Sequence, residues 1–367
     1  MVFICSLGNE LIWNFLSMDQ IHAIYNGNFD NLEDIKVSPL SRAYTFSDSV
    51  YEVIPFFNNE VIAFNRHIER LQYSCRSMNI DANIDQSSKE ILQLISLSKI
   101  KDGYVYYQIS RGVDPIRSHM YSSKLHAETF GYVTSHKFEE QTLKVALCED
   151  IRWQRCDIKS TSLLGNVLSM NEAKDQACDE VIMYKENKIT EGGASNVFFI
   201  KNNRIFTPSL SSNILPGITR ELLISEAAKH EVKIMEQDCS LDDLVKAESV
   251  WLTSSTKGLA PVSEIINQNS NLDVSHPLFK MCQNIFNDAY LIFIKCGLTR
   301  GPSKKPFVMY GAGGSGKSSM LSMTAMKSVN EWTPEGNPIL FVRFCGTTPN
   351  SASLGPLLKS ICQQISY

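Results

Sequence analysis

Cys156-Asp157-Ile158-Lys159-Ser160 runs into Leu163, Leu164 and Gly165, and about thirty residues later comes Thr190-Glu191-Gly192-Gly193-Ala194-Ser195-Asn196-Val197-Phe198. A lone lysine is ordinarily a solvated surface charge, and a lone hairpin glutamate ordinarily faces water. Two such segments, in this order and at this separation, are far more specific than either one.

Around them lies a run of short apolar stretches at residues 180–183, 188–191, 197–200 and 204–207, which reads as antiparallel hairpins. A strand at 143–148 opens this unit. A helix from about Thr219, a strand at 250–253 and an amphipathic helix at 278–296 complete it. Upstream, residues 21–64 read as strands broken at Asn26-Gly27-Asn28 and Asn58-Asn59. Next comes one helix, with Asn65 as its N-cap, in which Ile68, Leu71, Cys75 and Met78 recur at helical spacing. Arg70 lies off that main stripe. A strand at 104–110 ends at Arg111-Gly112, and a polar connection at 137–141 separates the two units.

The chain has 367 residues, 43% of them apolar and 20% charged, enough for two or three domains that each bury a core. A net charge of -4 offers no bulk attraction to nucleic acid or to an acidic membrane, so small molecules are the expected partners. Ten cysteines without a C-x-x-C pair or zinc-like spacing point to free thiols, a cytoplasmic location and no metal site. The segment 278–296 carries Lys280, Asn284, Asn287 and Asp288, so it is not read as a membrane span.

The two segments, one ahead of this hairpin run and one inside it, resemble the signatures of class-IV, or fold type IV, aminotransferases, and the similarity extends over roughly residues 21–295. It is nearest to D-amino-acid transaminases. The resemblance implies an α+β fold with a small α/β domain at 18–138, preceded by an extension at 1–17. A larger, β-rich pseudo-barrel domain is implied at 139–296. It also implies pyridoxal 5'-phosphate as cofactor, bonded at C4′ to Lys159, which then serves as the base that moves a proton. Glu191 is implied as the partner of the pyridine nitrogen.

The same resemblance supplies phosphate donors in three places. Arg70 matches the arginine on the phosphate. Leu215-Pro216-Gly217-Ile218-Thr219-Arg220 matches a turn where the N–H groups of Ile218 and Thr219 meet the anion at a helix start, with Leu215 near the ring. Ser254 and Ser255, in Thr253-Ser254-Ser255-Thr256, match hydroxyl donors. For the substrate carboxylate, Arg117 and His119 resemble an Arg-x-His trap reaching in from a neighbouring subunit, completed by Tyr51. A homodimer is therefore implied. The loop before Arg117 is one residue longer than usual, and Ser47 and Ser49 replace glycines that often flank Asp48. Gly193-Ala194 replaces a common Ser-Ser pair, and none of these departures removes a catalytic group.

Residues 297–306, rich in Gly, Pro, Ser and Lys, read as a linker to a separate stretch at 307–367. There Gly311-Ala312-Gly313-Gly314-Ser315-Gly316-Lys317-Ser318 fits the P-loop pattern between a strand and a helix. It resembles the opening of a NACHT-type NTPase, in which Gly311, Gly316 and Lys317 would meet ATP and Ser318 its magnesium. The chain reaches Tyr367 before an acidic Walker B strand, so the expectation is a truncated fusion with weak nucleotide binding.

The leading expectation is amino transfer between a D-amino acid, such as D-alanine, and a 2-oxo acid. Its rivals within the fold are a branched-chain L-amino-acid aminotransferase and an aminodeoxychorismate lyase, against which the Arg-x-His pair argues. The rival from another class is a non-catalytic front domain of a signalling NTPase; the retained Lys159, Glu191 and Arg70 argue against that.

Overall fold

A computed structural model describes residues 22–296 of the protein, with side chains as far as residue 289. β1 (His22–Tyr25) and β2 (Asn28–Asn31) form a hairpin whose tip, Asn26 and Gly27, has φ of 48° and 80°. Asn and Gly tolerate that left-handed conformation best. After α1 (Arg42–Phe46) come β3 (Ser49–Phe57) and β4 (Glu60–Val61). The helices α2 (Phe64–Ser77) and α3 (Ile84–Ser98) lead to β5 (Gly103–Ser110) and β6 (Glu128–Ser135). These strands make a six-stranded antiparallel sheet ordered β2-β1-β6-β5-β3-β4.

The period of two along β3 divides its side chains. Val50 and Ile54 are buried with Leu71 of α2, Ile91 and Leu94 of α3 and Val105 of β5. Each such aliphatic side chain contributes about 1.5–3 kcal/mol when fully buried. Tyr51 and Val53 take the opposite phase and line a cavity.

The second half runs β7 (Leu143–Glu149), α4 (Leu164–Asp175), β8 (Glu180–Lys185), β9 (Lys188–Gly192), β10 (Asn196–Lys201) and β11 (Arg204–Thr207). It continues with α5 (Ile218–Lys229), β12 (Ile234–Glu236), α6 (Leu241–Val245), β13 (Ser249–Ser254), β14 (Gly258–Ile265) and α7 (Pro277–Cys296). Its eight-stranded sheet is ordered β12-β11-β10-β13-β14-β7-β8-β9. Among the described residues no ladder joins β12 to β9, so the sheet keeps two edges. Both sheets belong to one compact unit.

Two local expectations are corrected. α2 starts one residue before the expected cap: its N-cap is Ala63, at φ 50°, and Asn65 lies inside the helix. Arg70, expected off the apolar stripe, is buried on the same helix face as His67, Leu71 and Ser74 because it has a buried ionic partner. Four helices were not foreseen: the five-residue α1 and α6, and the longer α3 and α4. α3 hides its Ile91, Leu94 and Ile95 stripe among serines, and α4 leaves Leu164, Val167 and Leu168 exposed, which blurs any amphipathic period.

The extension at 1–17, the linker at 297–306 and the P-loop segment at 307–367, with Gly311, Gly316, Lys317 and Ser318, lie outside the described residues. Among the described residues no helix is long and apolar enough to cross a membrane.

Candidate active site

A cavity of about 560 Å³ opens between the two halves, with Tyr51, Arg70, Lys159, Glu191 and Leu215 on its walls. Lys159 sits in the connection between β7 and α4, which is tied to the first sheet. Its carbonyl accepts from the Tyr51 N–H at 2.9 Å, its N–H donates to Ser74 Oγ at 3.2 Å, and Ser160 bridges to Val50. The backbone is thereby fixed. Nζ lies 4.4 Å from the centre of the Tyr51 ring, and Lys159 has no carboxylate within ion-pair distance among the described residues. An amine on a flexible stem without a counter-ion can act as a nucleophile or base once deprotonated.

Glu191, near the end of β9, is 5% exposed and meets donors on both oxygens. Arg152 Nη1 donates to Oε1, while the Leu215 N–H, at 3.0 Å, and Asn196 Nδ2, at 3.2 Å, donate to Oε2. Arg152 is in turn held by both oxygens of Asp150. Burial pushes the Glu191 carboxyl up to about 7, and Arg152 only partly offsets this. A carboxyl so poised exchanges a proton near neutral pH.

At another wall Arg70 spans both halves. Its Nε and Nη2 hold Oε1 and Oε2 of Glu52 at 2.7 and 2.8 Å, and Nη1 donates to the Pro216 carbonyl at 3.0 Å. Glu52 is fully buried and also accepts from His67 Nδ1 at 2.8 Å. Burial alone would raise its carboxyl, but Arg70 and then His67 outweigh that and hold it at about 2. His67 is pushed below its ordinary value by burial, so at neutral pH it is an uncharged Nδ1–H donor. Pro216 precedes Gly217, the N-cap of α5, which has no side-chain capping bond. Ile218 and Thr219 open that helix and line the cavity together with Ser254 and Ser255.

Arg117 and His119 do not reach this cavity, although Tyr51 does. They converge instead on Phe46, the Arg117 guanidinium 4.5 Å above its ring and the His119 ring 5.3 Å from it. Arg42 Nη1 fixes the loop between them through the Ser118 carbonyl at 2.6 Å.

The family profile described as "Amino-transferase class IV" matches residues 49–265, which span every cavity residue named above. The chain belongs to the class-IV aminotransferases. It is 35% identical over 254 residues to a D-alanine aminotransferase of Listeria monocytogenes, covering 66% of this chain and 86% of that one. A D-alanine aminotransferase of Bacillus licheniformis is 31% identical over 274 residues, 73% and 96% of the two chains. Among solved structures, a branched-chain amino acid aminotransferase of Escherichia coli superposes with a TM-score of 0.68 at 22% identity, covering 74% of this chain and 95% of that one. A putative 4-amino-4-deoxychorismate lyase of Legionella pneumophila gives 0.64, also at 22%, covering 70% and 96%. These two likenesses concern the fold.

As a class-IV aminotransferase the chain depends on pyridoxal phosphate, and the cavity suits that group. Arg70 has five N–H hydrogens and spends three on Glu52 and Pro216, which leaves two. The first N–H groups of α5 lack intrahelical acceptors, a natural anion site. Thr253 Oγ1 and Ser195 Oγ, on residues that line the same cavity, are buried without a hydrogen-bond partner among the described residues. Glu191 offers a buried acceptor for a protonated ring nitrogen.

Glu52, Arg152 and Asn196 were missed by sequence reasoning. Glu52 had a signal: it occupies the buried phase of β3, between Val50 and Ile54, where a lone glutamate requires a buried partner. Arg152 had none, because its partners are set by how the loop after β7 folds back on β9.

Proposed function

We propose that this aminotransferase moves the amino group of a D-amino acid, such as D-alanine, to a 2-oxo acid, such as 2-oxoglutarate, in two half-reactions. The observation that carries the reading is the amine of Lys159, without a carboxylate partner among the described residues, in the same cavity as the buried carboxyl of Glu191 that Arg152 and Asn196 hold. The D-alanine aminotransferase relatives, 31–35% identical, support the choice of substrate.

In this reading Lys159 would bond to the aldehyde carbon of the cofactor and, once released, its Nζ would be the base that carries the proton removed from the substrate Cα. Bound pyridoxal phosphate supplies an electron-withdrawing ring that stabilises negative charge at that carbon. Glu191 keeps a proton at the pyridine nitrogen, and Arg152 and Asn196 hold Glu191 in place. Arg70, the N–H groups of Ile218 and Thr219, and the hydroxyls of Ser254 and Ser255 bind the phosphate, while Leu215 packs against the ring.

The substrate carboxylate is assigned to Tyr51 of one subunit with Arg117 and His119 of a second copy. The distance of those two residues from their own cavity favours that arrangement, so the active form is a homodimer. A nucleotide role for Gly311, Gly316, Lys317 and Ser318, with ATP and magnesium, rests on the motif alone, and transamination uses none of these residues.

Amino transfer from D-alanine and from L-leucine to 2-oxoglutarate tests the reading. Activity with D-alanine is expected; activity with L-leucine alone would overturn the D-assignment in favour of a branched-chain L-amino-acid enzyme.

A further inference from the structure

Two side chains of the first half donate to backbone carbonyls beside the phosphate-binding elements of the second. One is Arg70, on Pro216 next to α5. The other is His136, just after β6, whose Nε2 lies 3.0 Å from the Thr256 carbonyl. A carbonyl only accepts, so Nε2 carries the proton. The His136 N–H donates to the Asp102 carbonyl at 3.1 Å, and its ring meets Tyr104 at 5.7 Å and Phe138 edge-on at 4.8 Å. Its backbone and ring are therefore both fixed.

Thr256 lies in the turn between β13 and β14 that presents Ser254 and Ser255 to the cavity. Within the turn Ser254 Oγ accepts from the Lys257 N–H at 3.2 Å and lies 3.5 Å from Thr256 Oγ1. Lys257 Nζ pairs with the buried Glu180 of β8, which anchors the turn to its own sheet. His136 anchors it from across the cavity.

We propose that His136 is a positioning residue for the anion-binding turn: by holding the Thr256 carbonyl it aims the hydroxyls of Ser254 and Ser255. The inference rests on the reading that these two serines bind the phosphate of the cofactor. Several donors must converge on one anion, so freeing one supporting carbonyl blunts two of them together. Nothing in this role touches the reacting atoms, and it therefore acts on retention of the phosphate, not on proton transfer.

The test uses full-length protein freed of cofactor and retitrated, by absorbance and tryptophan fluorescence, with pyridoxal phosphate and with pyridoxal, which lacks the phosphate. His136→Phe keeps a ring between Tyr104 and Phe138 but removes the donor; His136→Gln restores an N–H at similar reach. His136→Phe should weaken pyridoxal phosphate roughly five- to tenfold, the value of one hydrogen bond, leave pyridoxal unchanged, and keep kcat at saturating cofactor within about twofold. His136→Gln should recover most of the loss. Equal weakening of both ligands, or no recovery with glutamine, would show a packing role and overturn the proposal, as would an unchanged affinity in His136→Phe. A wild type that binds both ligands equally would instead remove the phosphate-site reading on which the inference rests.

Discussion

Arg70 grips both oxygens of Glu52, at 2.7 and 2.8 Å, with neither side chain more than 8% exposed. The pair joins α2 to the face of β3 that points away from the cavity, and so fixes the guanidinium whose remaining hydrogens are proposed to serve the phosphate. Removing one partner of a buried pair leaves an uncompensated charge. Glu52→Gln should therefore destabilise the protein by about 3–5 kcal/mol in denaturant unfolding and weaken binding of pyridoxal phosphate. Replacing both partners, Glu52→Leu with Arg70→Met, should cost far less stability while still impairing cofactor binding. A single variant as stable as wild type would show that the pair does not fix Arg70.

Lys159 is held by its backbone, and its Nζ has no carboxylate within ion-pair distance among the described residues, so its loss should remove covalent attachment without unfolding the chain. Wild type loaded with pyridoxal phosphate should be yellow, and borohydride should fix the cofactor to the peptide containing Lys159. Lys159→Ala should lose the colour, the adduct and activity while keeping its melting temperature. An adduct on Lys257 instead would mean the wrong lysine has been assigned.

Glu191 sets a pH dependence of definite sign. Its carboxyl rises from 4.5 to about 7 in the folded protein, so between those values the native state binds more protons than the unfolded one. The contribution is therefore fully present below about pH 4.5 and is lost as pH rises through about 7. In cofactor-free protein that loss amounts to about 3 kcal/mol at most. Urea unfolding of wild type and Glu191→Gln at about pH 5 and about pH 8 isolates it: only wild type should lose this increment, and equal changes in both would refute the assignment.

Gly217 is needed for close approach. A Cβ there would lie 1.9 Å from Asn196 Oδ1, and Asn196 Nδ2 supports both Glu191 and the Leu215 carbonyl. Gly217→Ala should cost about 1–3 kcal/mol of stability through overpacking and lower cofactor affinity. Adding Asn196→Ala should return part of the stability, because the two sites are in contact. Thermal unfolding of the single and double variants reads this coupling, and strict additivity would count against it.

Much of the fold was legible where local pattern and burial agree. The strands β3 and β8 to β11, read as apolar runs between turn residues, the Asn-Gly tip of the first hairpin and the stripe of α2 all follow from local sequence pattern. α3 and α4 were missed for opposite reasons, one because serines dilute its stripe, the other because it leaves leucines in solvent. Arg70 was legible as a residue of interest but not as a buried one, since helical spacing alone cannot report an ionic partner on another strand.

By itself the sequence determined the positions of most strands, the start of α5 near Thr219 and the paired Lys159 and Glu191 segments, because these depend on neighbours within a few positions. Tertiary structure alone decided what surrounds them. Glu52 and Arg70 are 18 residues apart, Arg152 and Glu191 39, and His136 and Thr256 120. A charge can stay buried, and a carbonyl can be held, only when a partner from a distant segment arrives with the right donor, and no local pattern in the chain encodes that arrival.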